Sequence, residues 1–205
     1  MRSEIGPSDL FPAFEDLTKP DRRQRGYTDP ATGARRERTL RDHYDAIALL
    51  ELKADVPAEI RVHYDTARLL LVHSWFAYRF IQVAEGHALA AVEMALRERL
   101  GVQEARRTGL TRLLANAVNQ GLLQDRAFRH EWQAGVWPDP GRAGLSETAL
   151  RLAAEGRNDS DEYARVLLDH LPWYRNELAH GSAMLAPGGR AVLSICRDVI
   201  DQLFA

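Results

Sequence analysis

The stretch AEGHALAAVEMALRERL, Ala84 to Leu100, decides the fold class. It holds no proline, few β-branched residues and a dense supply of Ala, Leu, Met, Glu and Arg, the residues that lose least on entering a helix. Gly101 follows at once, in the position where a glycine commonly ends a helix. Working back toward the N-terminus, Leu69, Val72, Phe76, Phe80, Val83, His87, Ala91, Met94 and Ala95 recur at steps of three and four. That spacing marks one face of an amphipathic helix and predicts a single long helix from Pro57 to Leu100. Such a helix exceeds the usual globular length and would span the domain.

The rest of the chain agrees with an all-α fold, because no segment shows sustained period-two alternation. A short helix is expected over 38–52, closed by Val56-Pro57, and a second over 107–120, stopped by Gly121. Residues 128–144, with Trp132, Trp137, Pro138 and Pro140, suggest a loop with aromatic anchors, and Ser146 opens a short helix. Asp159-Ser-Asp-Glu places acidic residues in the first turn of a further helix, where the dipole favours them. Tyr163, Val166, Leu167, Leu171, Tyr174 and Leu178 lie along it, and Pro172 should kink or restart it. Pro187-Gly-Gly makes a turn, and the last amphipathic helix covers 190–204. Residues 1–37 contain turn formers and are expected as loop, or as an arm laid over the body. The organisation predicted is a basic N-terminal arm with a short helix over 1–56 and a helical domain over 57–205.

The 205 residues carry a formal charge of -2, so no global bias toward polyanions exists. Local bias does. From Lys19 to Arg41 eight basic residues face three acidic ones, a surplus of +5 that leaves -7 for the remainder. This arm could track RNA phosphates, embrace a second subunit or simply stay solvated. The one cysteine, Cys196, excludes an intrachain disulfide and a multi-thiolate metal site, and is expected in the core of the last helix. The N-terminus lacks the basic-then-apolar run of a signal peptide. The greasiest stretch, 69–91, is interrupted by His73, Arg79, Gln82, Glu85 and His87, so no membrane span is expected and the protein is placed in the cytoplasm. His43 and His63 open the echoed octets HYDAIALL and HYDTARLL, each expected at a helix start. They raise a His/Asp metal site for which no third ligand is placed, so neither metal nor cofactor is expected.

Chemistry concentrates in WYRNELAHGS, Trp173 to Ser182. On a helix Asn176 and His180 share a face, whereas Arg175 and His180 lie about 140° apart around the axis and about 7.5 Å along it. One straight helix does not join the pair. Either the chain bends at Gly181, or a second copy contributes across a two-fold axis. His180 sits where the dipole favours an imidazolium. A neutral histidine can take the proton of a ribose 2′-hydroxyl while an arginine fork holds the phosphate, and Asn176 could orient the ring. Basic last turns stopped by glycine also occur as plain helix ends.

Arg175-Asn176, three residues and then His180, near the end of an all-α chain with the long early helix of Ala84 to Leu100, resembles the HEPN superfamily over about residues 57–205. The resemblance implies a helical bundle that dimerises so that both motif helices line one cleft. It implies a metal-independent endoribonuclease of toxin–antitoxin, defence or RNA-processing type, with RNA as substrate and an antitoxin or regulatory protein as partner. Other members are inactive binding or scaffold modules. Arg175, His180 and Asn176 are then the catalytic candidates. Glu85 and His87 could approach the cleft, or serve as a polar cluster and internal hydrogen bond of their helix. Trp173 and Tyr174 could stack on a base, core packing being the favoured reading for Tyr174, and Glu177 within the motif could support the site or contact RNA. Glu93, four residues before Arg97, is expected as a helix-surface ion pair.

Overall fold

The computed structural model describes residues 10–28, 32–102, 108–124, 162–180 and 189–205. Among these the fold is all-α apart from one two-stranded hairpin. The helices are α1 (Leu40–Ala48), α2 (Ala58–His73), α3 (Phe80–Leu100), α4 (Leu110–Asn119), α5 (Glu162–Ala179) and α6 (Gly189–Leu203). The expected aromatic loop at Trp132 and Trp137, the helix at Ser146, the acidic turn before Glu162, the Gly181 bend and the Pro187 turn lie outside the described residues.

The single long helix does not form. His73 ends α2, a tight corner occupies residues 74–79, and Phe80 starts α3. The corner is held by backbone bonds from Ser74 to Leu70, Trp75 to Val72, Phe76 to His73 and Phe80 to Ala77. No proline or glycine marks it in the sequence, and the apolar steps run straight through it. The break shifts the phase of the pattern. Leu69, Phe80 and Val83, all assigned to the buried stripe, are exposed, while Leu71, Ile81, Ala88, Leu89, Val92 and Leu96 are buried.

Helix α3 is central: α2, α4, α5 and α6 all pack on it. A helix covered on several sides needs no narrow apolar stripe, which is why Ala84, Ala88, Ala91 and Ala95 are buried alongside its leucines. Gly101 adopts φ 64° and closes α3 as expected, its amide bonding Glu98. Gly121, at φ 69°, follows α4 in the same manner. Helix α1 is shorter than expected and begins on a capping box in which Thr39 and Asp42 satisfy each other's backbone amides. His43 and His63 therefore lie inside α1 and α2 rather than at their starts.

Helix α6 completes the core with Val192, Leu193, Ile195, Cys196, Val199, Ile200 and Leu203, and the expected burial of Cys196 is found. The Tyr64 hydroxyl donates to the Leu193 carbonyl at 2.7 Å, tying α2 to α6. Gly189 starts α6 in close contact with both older helices: a Cβ there would stand 2.7 Å from Leu71 Cδ1 and 2.8 Å from Ile81 Cγ2. Pro172 sits inside α5 and neither ends nor restarts it.

Two short strands, β1 (Gly26–Thr28) and β2 (Arg35–Glu37), pair antiparallel where the sequence suggested only loop. Three residues per strand are too few for an alternation pattern to show. The chain before the hairpin is docked on the 74–79 corner. The Asp21 amide donates to the Trp75 carbonyl at 2.8 Å, Gln24 Nε2 reaches the Ser74 carbonyl and hydroxyl, and the Arg23 guanidinium lies 4.3 Å from the Tyr78 ring centre. Residues 21–24 of the arm are thus laid over the body. Among the described residues no helix is long and apolar enough to cross a membrane.

Candidate functional site

Helix α5 places consecutive motif residues in opposite environments. Tyr174 turns inward and Arg175 outward. The Tyr174 hydroxyl donates to Glu85 Oε2 of α3 at 2.6 Å, and Glu85 is buried to 1% exposure. Burial raises the Glu85 carboxyl to about 7, against the opposing effect of the Tyr174 hydrogen bond. Burial and then the neighbouring Glu85 push the Tyr174 hydroxyl upward, and burial and then Glu85 do the same to the Cys196 thiol. Glu85 thus stands in the internal hydrogen bond that the sequence offered as the alternative to a catalytic role, directly beneath the motif.

Arg175 is exposed and approaches α3 from outside, with Nη2 3.9 Å from Glu93 Oε2. Glu93 also accepts from Arg97 at 2.7 Å, the pairing its spacing predicted. Its second role, facing the motif arginine, had no local signal, because it depends on how α5 crosses α3. Arg175 Nη1 donates to Asn176 Oδ1 at 3.4 Å, a long contact.

Arg175 borders two grooves. The larger, about 460 Å³, is floored by Gln82, Val83, Gly86 and Ala90 of α3 and walled by Arg175, Leu178 and Ala179 of α5. The smaller, about 170 Å³, lies between Glu93, the start of α4 at Gly109 to Thr111, and Pro172, Arg175 and Asn176. Gly86 lacks a side chain where the larger groove opens, a feature invisible without knowing which face meets α5. His180 follows α5 directly, its amide bonded to the Asn176 carbonyl at 2.9 Å, so the last turn stays helical up to the histidine. His180 is exposed and lines neither groove. Within one chain the fold therefore brings Arg175 and Asn176 together and holds His180 farther along the helix.

The other candidates separate. Trp173 is 41% exposed, with its ring centre 6.3 Å from that of Tyr174. Tyr174 is in the core, as expected, and Glu177 is half-buried. His87 does not approach the motif. Its ring stacks on His63 of α2 at a centroid distance of 3.8 Å, and burial, then the His63 charge, lower its pKa. His43 Nε2 instead contacts the Leu71 carbonyl at 2.8 Å. The two echoed histidines thus serve different contacts, and among the described residues no group of three or more His, Cys, Asp and Glu is gathered as a metal site.

No protein-family model, curated protein or solved structure matches this chain. The residues and their chemistry carry the functional argument.

Proposed function

We propose that this chain is a HEPN-like, metal-independent endoribonuclease that works as a cytoplasmic homodimer in a toxin, defence or RNA-processing role, under an antitoxin or regulatory partner. The observation that supports it is the exposure of Arg175, Asn176 and His180 together at the end of α5, with the arginine bordering two grooves. A motif that merely finished a helix would not need an open groove beside its cation.

In the proposed reaction neutral His180 takes the proton of a ribose 2′-hydroxyl. The 2′-oxygen attacks the adjacent phosphorus, and the bond to the 5′-oxygen breaks. That oxygen departs with a proton taken from water, His180 later returns its own proton to solvent, and the products are a 2′,3′-cyclic phosphate and a 5′-hydroxyl. Arg175 holds the phosphate oxygens and stabilises the charge that develops on them. Asn176, one turn from His180 on the same face, orients the ring or contacts phosphate. Since Arg175 and His180 lie about 140° apart around α5, a second copy supplies the missing half of the site.

The test is cleavage of mixed RNA in EDTA, with the product ends identified. Wild type is expected to give cyclic phosphates, and His180→Ala to lose about 100- to 10,000-fold in rate. Equal rates in the two proteins, or no cleavage by wild type with or without its partner, would overturn the assignment.

The proximity of Glu93 to Arg175 favours one alternative, a non-catalytic binding or scaffold module in which the arginine is neutralised by α3. Expression separates the two. A ribonuclease of this kind slows growth and His180→Ala relieves it, whereas a scaffold shows no difference.

A further inference from the structure

The hairpin register assembles a second charged surface away from the motif. Arg36 pairs with Tyr27 across the strands, and the Arg38 amide donates to the Arg25 carbonyl at 2.9 Å, extending the same register by one pair. Cross-strand partners share a face and successive residues alternate faces. Arg25, Tyr27, Arg36 and Arg38 therefore stand on one face. Glu37, the acidic residue of β2, stands on the other, opposite Gly26. The Tyr27 ring is half-exposed, and Arg25 and Arg36 are exposed.

Helix α6 adds a further cation. The pKa of Arg38 is lowered by burial and next by the like charge of Arg190, the exposed second residue of α6, with Asp42 and Tyr27 acting in the other direction. Arg190 thus adds positive charge near Arg38, which Asp42 offsets in part.

The hairpin is also braced rather than loose. On its N-terminal side Asp21 and Gln24 are anchored to Trp75 and Ser74. On its C-terminal side Thr39 caps α1, which His43 fastens to the Leu71 carbonyl. A surface fixed at both ends presents its charges at little ordering cost when a ligand binds.

We propose that the face carrying Arg25, Tyr27, Arg36 and Arg38, with Arg190 beside it, binds single-stranded nucleic acid, the guanidinium groups on its phosphates and Tyr27 stacked on a base. Planar guanidinium forks match phosphate oxygens, and every base offers a π-face to an aromatic ring. Seven of the eight basic residues from Lys19 to Arg41 are arginine. A membrane surface fits less well, because residues 22–28 and 32–38 contain no Leu, Ile, Val, Phe, Trp or Met to enter a bilayer. The surface is independent of the ribonuclease assignment and would bind whether or not His180 catalyses.

The experiment uses the full-length His180→Ala protein, so that the probe survives. A fluorescent single-stranded RNA of mixed sequence, about 16 nucleotides long, is titrated by anisotropy at several salt concentrations. Four arginines on phosphates give a slope of about -3 in log affinity against log salt, so raising KCl from about 50 to about 200 mM weakens binding roughly 50-fold. Arg25→Glu with Arg190→Glu should abolish most of the affinity, and Tyr27→Ala should weaken it roughly ten- to a hundredfold. Arg25→Gln with Arg190→Gln serves if charge reversal disturbs folding, and should flatten the slope by about half. Unchanged affinity and slope in these folded variants would overturn the proposal. So would binding to phosphatidylserine vesicles without binding to RNA. Because cleavage is not measured, an inactive wild type leaves this result intact.

Discussion

Two glutamates of α3 meet two consecutive residues of α5, and they do so in opposite ways. Glu85 and Tyr174 form a sealed contact of 2.6 Å in the interior. Glu93 and Arg175, about two helical turns along α3, approach only to 3.9 Å at the surface. The inner pair excludes water, and a hydrogen bond there is short and costly to leave unmade. The outer pair is wetted and weak, since exposed ion pairs contribute about 0–1 kcal/mol. The difference teaches how a helix can be fixed while its motif stays free. Tyr174 positions α5, and Arg175, one residue later, keeps an exposed guanidinium.

The harshest way to break the comparison is at the inner pair. Tyr174→Ala removes a packed ring and leaves the Glu85 carboxyl buried without its donor. A loss of about 3–5 kcal/mol in unfolding free energy is expected from urea denaturation. A loss below about 1 kcal/mol would mean that α5 is fixed elsewhere.

A milder change sharpens the same contact. The Glu85 carboxyl titrates near 4.5 when unfolded and at about 7 when folded. The folded state thus prefers the protonated form. The contribution of Glu85 is full below about pH 4.5 and is lost as pH rises through 7, by on the order of 3 kcal/mol. The groups facing it from neighbouring elements are Tyr174 on α5, Cys196 on α6 and Tyr78 in the corner before α3, none of which carries charge in that window. Glu85→Gln keeps an acceptor for the Tyr174 hydroxyl and cannot ionise. Its thermal unfolding temperature should lack this decline between pH 4.5 and 7, and exceed that of wild type at pH 8. Parallel profiles for the two proteins would show that Glu85 ionises freely in the fold.

The contrast also shows how far the sequence could be read. Composition and helix-forming residues sufficed for the all-α class, and Gly101 marked the end of α3 because a positive φ is a local demand. Tyr174 could be assigned to the core from its place on the motif helix. The corner at 74–79 could not be seen, since Ser74 to Arg79 contains neither glycine nor proline and its bonds to the arm come from residues fifty positions away. The break resets the helical phase, so a stripe that runs through it puts Leu69, Phe80 and Val83 inside although all three are exposed. The grooves beside Arg175 were hidden for a related reason. Helix crossing sets them, and nothing in the spacing of RNELAH says that Glu93 or Gly86 will lie opposite.

The smallest expected stability effect belongs to the outer pair, and it discriminates best between the two functional readings. If Arg175 is held for function, Arg175→Ala removes an exposed cation from a long, wetted contact and should shift the urea midpoint by no more than about 0.5 kcal/mol equivalent. RNA cleavage should nevertheless collapse in the same protein, because a phosphate clamp acts in the transition state and not in folding. If Arg175 is instead a structural partner of Glu93, the order reverses, with stability falling by more than about 1 kcal/mol and Glu93→Gln causing a comparable loss. Arg97, which also relies on Glu93, makes the glutamate variant ambiguous alone. The arginine variant carries the decision, since among the described contacts its guanidinium meets only Glu93 and the neighbouring Asn176.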